Sequence, residues 1–476
     1  MKNNKLLICI ISTVILLSVL VSGCSLAGAG NTDSTGSVVS SETGKSDSQQ
    51  SSSSSAENTA SGTSVITESG SEYNGIVEFS DSSTGIKGSV SISDNVAAIS
   101  SAGTYLITGS TGSGQIIVDA GKDSSVTLVL QDLTLTSADG PAIWAKSGEL
   151  TIILAGENTL TDSLTYTLED GTDEPNACIY SKDDLTISGT GSLTVNANYY
   201  IGIESKDDLV IDNGIITVNS ADDAIRGHDS LTVSSGSLNL NAGADGLKSN
   251  NDSDAEKGYI NVLGGNITIV SADDGIDAAN DITISGGSIS ITSDDDAVHT
   301  DTSVYISGAD ISVECGDDAI HAEAELIISG GSLDLTGHEG LEGCTIQITD
   351  GTVTVYATDD AINATYSNGN TVPSIVIDGG NISVTVSAGD TDALDSNGNL
   401  IINGGTINIS AQSPFDFDGQ GQLNGGTVYV NGTQVTSLTN QMMGGMGGPM
   451  GGMEGQQMPP QGNGGWQGGR PGGMRP

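Results

Sequence analysis

Large aromatic side chains are nearly missing from this chain, which has three Phe and two Trp in 476 residues. Positive charge is scarce too: 13 Lys and Arg stand against 60 Asp and Glu, a formal net charge of −47. The first shortage excludes a conventional globular core of this length, which would use more large apolar residues. The second excludes nucleic acid as a partner, because so negative a surface repels polyanions at long range. Beyond residue 24 the cysteines are Cys178, Cys315 and Cys344, too few for a disulfide scaffold, and no His and Cys cluster has zinc spacing. No segment beyond the N-terminal apolar run shows helical periodicity. What is plentiful is Gly, at 67 residues, and aliphatics that keep the hydrophobic content at 36%, so the chain is not simply disordered.

Both ends read as appendages. Residues 1–23 join Lys2 and Lys5 to an apolar run, Leu6 to Leu20, and then to Ser22 and Gly23, the pattern of a signal peptide. Cys24, directly after Ser-Gly, resembles the lipidated cysteine of a bacterial lipobox. That implies a membrane-anchored lipoprotein at the cell surface, with a plain secretory signal as the alternative. Residues 24–70 are a Ser/Gly-rich flexible tether; about 40 such residues average roughly 35 Å end to end as a coil. Residues 441–476 form a Gly-, Met- and Pro-rich tail, expected to be disordered. Closely spaced Met443, Met446, Met450 and Met453 are alternatively a soft-metal site of the Cu(I) type.

Between them, residues 71–440 repeat one sentence. Aligned on the small residue after an acidic pair, the units fall at Ala224, Gly246, Gly275, Ala297, Ala319, Gly340, Ala361 and Ala393. The steps are 21 or 22 residues except where the polar inserts 249–258 and 363–373 lengthen them. Ala142, Cys178, Gly202 and Pro414 fit the same slot, giving about a dozen units with a period near 22 residues, a solenoid period. Each unit holds two alternating segments, such as ITISGGS and SISITS, separated by a Gly turn. Period two means half-buried strands that only stacking can cover, with Ile225, Leu231, Val233, Leu238 and Leu240 pointing inward in one coil. The expected fold is all-β, a right-handed parallel β-helix, acting as a monomer. The Ca²⁺-binding roll of nonapeptide repeats has less than half this period.

The slot before the small residue holds Asp223, Asp245, Asp274, Asp296, Asp318, Glu339, Asp360 and Asp392, and several units add Asp222, Asp273, Asp295, Asp317 or Asp359. Stacked coils would set carboxylate on carboxylate about 4.8 Å apart, repelling by about 1 kcal/mol in water and about 3.5 at an effective dielectric of 20. After Lys257 the next Lys or Arg is Arg470, so relief over most of the ladder must come from protons or a metal. Oxygen-only clusters of this kind suit Ca²⁺ better than Mg²⁺. A solvated acidic face that keeps the rod soluble is the plainer alternative. Two positions after the small residue the chain varies: Trp144, Tyr180, Glu204, Arg226, Lys248, Asp277, His299, His321, Glu342, Asn363, Asp395. Parity points this slot outward beside a floor of Ala and Gly, a shallow groove for an extended polymer. His299, His321 and Glu342 are candidate ligand contacts there. Trp144 and Tyr180 either offer an aromatic platform or finish the N-terminal end of the core.

The run GTYLITGSTGSGQIIVDAGKDSSVTLVL, from Gly103 to Leu130, together with the ADDAI, ADDGI and GDDAI turns, resembles a family of bacterial surface carbohydrate-binding domains. The resemblance spans roughly Ile76 to Leu438. It implies a right-handed β-helix like that of polysaccharide lyases, bound calcium, and binding of acidic plant polysaccharide such as polygalacturonate, with cellulose also attributed to the family. Carried over, calcium would sit at Asp222, Asp223, Asp273, Asp274, Asp295, Asp296, Asp317, Asp318, Asp359 and Asp360, with Asp277 beside them. Asp245, Glu339 and Asp392 stand in incomplete doublets (ADG, HEG, TDA), so Asp245 and Asp392 match less well. The family is regarded as non-catalytic. A pectate-lyase-like elimination needs Ca²⁺ and a basic residue, for which Arg226 and Lys248 are the candidates. A structural surface rod without ligand is the remaining alternative.

Overall fold

The computed structural model describes Val65–Ile66 and residues 72–440, apart from 169–170, 173, 368–369 and 390. The signal peptide, Cys24, nearly all of the tether and the Met-rich tail lie outside the described residues. Strands make up 59% of the structure, with no helix among the described residues, and wind into a β-solenoid of about 14 turns with a period of about 23 residues.

Most turns carry three short strands rather than two; at Asp318–Ile328 and Glu339–Ile348 the first two run together. In one turn the three are Ile225–Gly227, Ser230–Val233 and Ser237–Ala242. Leu247–Ser249, Tyr259–Val262 and Asn266–Ser271 of the next turn lie on them in parallel. The additional strand is the lead-in after each acidic pair, where three residues are too few to display a period. Ile225 stacks on Leu247, Leu231 on Ile260, Leu238 on Ile267 and Leu240 on Ile269, all buried in one continuous aliphatic core. A single turn would leave this face wet, so stability comes from stacking neighbours. The insert 249–258 leaves and rejoins without breaking register, since Arg226 still pairs with Lys248 and Ser230 with Tyr259. Between the second and third strands the chain reverses through left-handed glycines such as Gly287 (φ 103°).

Antiparallel hairpins lie at both ends. Gly75–Ser80 pairs with Gly85–Gly88 and Ser91–Ser93 with Val96–Ile99, while Thr427–Val430 folds back on Thr433–Val435. Turning the chain back there limits the open edge that would template another sheet.

The small-residue slot is not the floor of an open groove. Ala224, Ala297, Ala319, Ala361 and Ala393 are fully buried, because the chain rounds a corner there and parity no longer holds. At Gly275 an added Cβ would lie 2.4 Å from Ile291 Cγ2 and 2.5 Å from the Ala297 carbonyl oxygen. That oxygen accepts the Ile276 N–H at 3.0 Å and cannot yield freely. Gly275→Ala is therefore expected to cost about 1–3 kcal/mol, read from a denaturant midpoint. An unchanged midpoint would mean that the corner has room to spare.

Candidate functional site

Winding in register gives five of the eight ladder carboxylates a structural task that the sequence did not disclose. Asp223 Oδ1 accepts the amide of Asp245 (3.3 Å), Asp245 Oδ1 that of Asp274 (2.9 Å), and Asp274 Oδ1 that of Asp296 (3.0 Å). Asp296 Oδ1 accepts from Asp318 (2.8 Å) and Asp360 Oδ1 from Asp392 (2.7 Å). Aspartate suits this position because its short side chain meets an amide one turn along the axis. With Oδ1 so occupied, Oδ2 faces a second column, three residues further along each turn.

That second column is continuous. Trp144, Tyr180, Glu204, Arg226, Lys248, Asp277, His299, His321, Glu342, Asn363 and Asp395 pair in succession from turn to turn. Its N-terminal half neutralises the first rungs of the ladder from within, upstream of the stretch that lacks Lys and Arg. Arg226 bonds Glu204 (3.1 Å) and Asp223 (3.2 Å), and Lys248 bonds Asp245 and Asp277 (2.7 Å to the latter). Counting Lys and Arg overlooked the imidazoles. His299 Nδ1 lies 3.1 Å from Asp277 Oδ1, whose hydrogen bond raises the imidazole pKa. Burial would lower the pKa of His321, but Asp296, Glu342 and Asp318 outweigh it and push it up to about 9. As for the proposed bases, burial acts to lower the pKa of Lys248, yet Asp277, Asp245 and Asp223 hold it well above the ordinary lysine value. A general base needs the opposite shift.

Further along, cations run out. Asn363 Nδ2 donates to Glu339 at 2.9 Å, and burial with nearby Asp318 and Asp360 still pushes the Glu339 carboxyl up to about 8. Desolvation is also the main cause at Asp318 (about 8), Asp395 (about 7) and Asp360 (about 6), with carboxylate neighbours adding to it. The first members of the doublets, Asp222, Asp273, Asp295, Asp317 and Asp359, are partly or fully exposed. Asp273, Asp274 and Asp295 bring carboxylate oxygens within 4.8 Å of one another, and His338, Glu339 and Asp359 do the same with one imidazole nitrogen and two carboxylate oxygens. The first of these is an accessible, all-oxygen donor set of the kind calcium takes. Asp223 and Asp245 differ, since protein cations already hold them. His338 was missed by the sequence reading; its signal was the HEG turn, where a His replaces the first acid.

The aromatic end resolves differently from a platform. Tyr180 is 2% exposed, packed with Ala177 and Ile201, and its hydroxyl donates to Glu174 at 2.5 Å. It finishes the core there and cannot stack on a sugar. Trp144 is half-buried with Lys146 Nζ 3.7 Å from its ring centroid. Beside it opens a cavity of about 550 Å³ lined by Gln115, Trp144, Lys146, Tyr166 and Lys182 among others. Tyr166, also overlooked in the sequence, stacks on Tyr199 with centroids 4.1 Å apart.

Together the stacked turns and paired charged columns define a parallel β-solenoid with one ionisable edge. Residues 93–343 and 336–439 match the family described as carbohydrate-binding domain-containing protein, and the chain belongs to that family. A carbohydrate-binding domain-containing protein of Acetivibrio thermocellus is 44% identical over 135 residues, 28% of this chain and 47% of the relative. The chain thus spans about half the length of that relative. Among solved structures, the gadolinium derivative of a polysaccharide lyase-like protein from C. thermocellum is 37% identical, with a TM-score of 0.43, covering 51% of this chain and 94% of that one.

Proposed function

We propose that this protein is a cell-surface lipoprotein, anchored through Cys24, that binds acidic polysaccharide of the polygalacturonate type through calcium. One observation carries the reading: half-buried carboxylates continue along the edge from Glu339 to Asp395 with no Lys or Arg among the described residues of that stretch. Such an edge repels a polyanion unless a divalent cation lies between them. Asp273, Asp274 and Asp295 would hold one ion, and Glu339, Asp359 and Asp360 line the other accessible stretch. Calcium's six to eight oxygen ligands leave positions open for uronate carboxylates. A repeat along the solenoid axis suits a polymer laid lengthwise.

The test is binding of the full chain to polygalacturonate with calcium and with chelator, while absorbance is followed for unsaturated product. Binding lost on chelation, with no product, is the expected outcome. Accumulating product would make the protein a lyase, and binding indifferent to chelator would remove calcium from the contact. A parallel cellulose arm tests the second reading, favoured by the Trp144 cavity: Trp144→Ala should abolish cellulose binding if a neutral glucan is the ligand.

A further inference from the structure

We propose that His321, with Asp296 and Asp318, holds a first-row transition dication of the zinc type, at a site separate from the calcium positions and independent of the polysaccharide reading. His321 Nδ1 lies 3.4 Å from Asp296 Oδ2 and 3.5 Å from Asp318 Oδ2. Those separations are long for charge-assisted N–H···O bonds, which close to about 2.7–2.9 Å. They fit the edge of a coordination tetrahedron, since ligands about 2.0–2.1 Å from a common centre stand roughly 3.4 Å apart.

The donor set is distinct in kind as well as spacing. His299 sits on the preceding turn, its ring edge-on to His321 with centroids 5.3 Å apart. Asp296, His299 and His321 each place a donor atom within 4.8 Å of the others, and so do Asp318, His321 and Glu342. His321 belongs to both groups, so His299 beside Asp296 and Glu342 beside Asp318 are the further donors within reach. Calcium takes oxygen, whereas imidazole nitrogen suits zinc, copper, nickel or iron. Two consecutive rungs of the column carry imidazole, and the rungs on either side, Asp277 and Glu342, carry carboxylates. The two aspartates are nearly buried, at 8% and 6% exposure, and the Asp318 amide fixes Asp296 by holding its Oδ1. Orientation of that kind is what a metal ligand needs from its supporting shell. A dication here cancels two stacked carboxylates and ties successive turns together.

The experiment titrates the full chain with Co²⁺, whose tetrahedral complexes absorb strongly in the visible. One equivalent should develop the band, Zn²⁺ should displace it stoichiometrically, and about a thousandfold excess of Ca²⁺ should leave it in place. His321→Ala should abolish the band and weaken Zn²⁺ binding at least tenfold. Asp296→Asn keeps the amide-accepting oxygen, so it should fold, and it should also weaken the metal. A band that persists in both variants, one removed by calcium, or no band at all overturns the site. Calcium-dependent polysaccharide binding would survive any of those results, so the two readings fail separately.

Discussion

Chelating divalent cations at pH 8 is expected to lower the melting temperature of this protein, and calcium to restore it; at pH 5 the same treatment should have little effect. The direction follows from the ladder. Burial and neighbouring carboxylates raise Glu339 to about 8, Asp318 and Asp274 to about 8, Asp395 to about 7 and Asp360 to about 6. In the unfolded chain these groups titrate near 4. A raised folded-state pKa favours the protonated group, so its stabilising contribution is complete below about pH 4. It is lost progressively as pH climbs from about 4 to the folded values of about 6 to 8, above which the folded carboxylates are ionised against one another. His321, raised to about 9, loses its contribution in the same direction. Asp229 and Asp277 run oppositely. Burial pushes both up, but Lys257 and Asn251 at Asp229, and His299 and Lys248 at Asp277, hold them low, so their contribution disappears in acid. Stability without metal therefore peaks in mild acid.

Under the proposed function, calcium would compete with protons for these carboxylate oxygens. At a hundredfold excess over Kd each bound ion adds about 2.7 kcal/mol, a rise on the order of 5 °C for a domain of this size. Thermal melts at both pH values, with and without calcium, check this. A melt at pH 8 that ignores calcium would leave protonation as the ladder's only relief.

The second large effect is expected from Lys248→Met. Lys248 bridges Asp245, which is 2% exposed, and Asp277 at 2.7 Å, with Asp223 and Asp274 stacked on either side of Asp245. Removing the ammonium leaves a buried carboxylate facing three others. Breaking a buried pair in this way costs about 3–5 kcal/mol, most of it from the charge left behind. Adding Asp245→Asn should recover more than half of the loss. Asparagine retains an oxygen for the Asp274 amide while removing the stranded charge. Denaturant melts of both singles and the double form the cycle that isolates the pair. If the single variant melts like the parent, Lys248 is a surface charge and its geometry carries no stability.

Sequence alone determined the repeat, the strand-rich class, the inward aliphatics and the membership of both charged columns. These follow from periodicity, and in a solenoid a fixed period becomes direct stacking, so position in the line is position on the edge. Asp223 above Asp245 and His299 above His321 were legible for that reason. What the sequence could not supply was the direction in which each side chain turns at the corner between strands. There parity fails, so Ala224 and Ala297 turn inward although the alternation pointed them out. Nor could it tell that Tyr180 belongs to the core, since an aromatic beside a strand reads alike whether covered or open. The lead-in strand after each acidic pair was too short to show a period. Most of all, only tertiary structure decided the two oxygens of Asp223, Asp245, Asp274 and Asp296, one given to the next turn's amide and the other to the neighbouring column. That division arises from distances across turns, which no spacing within a turn encodes.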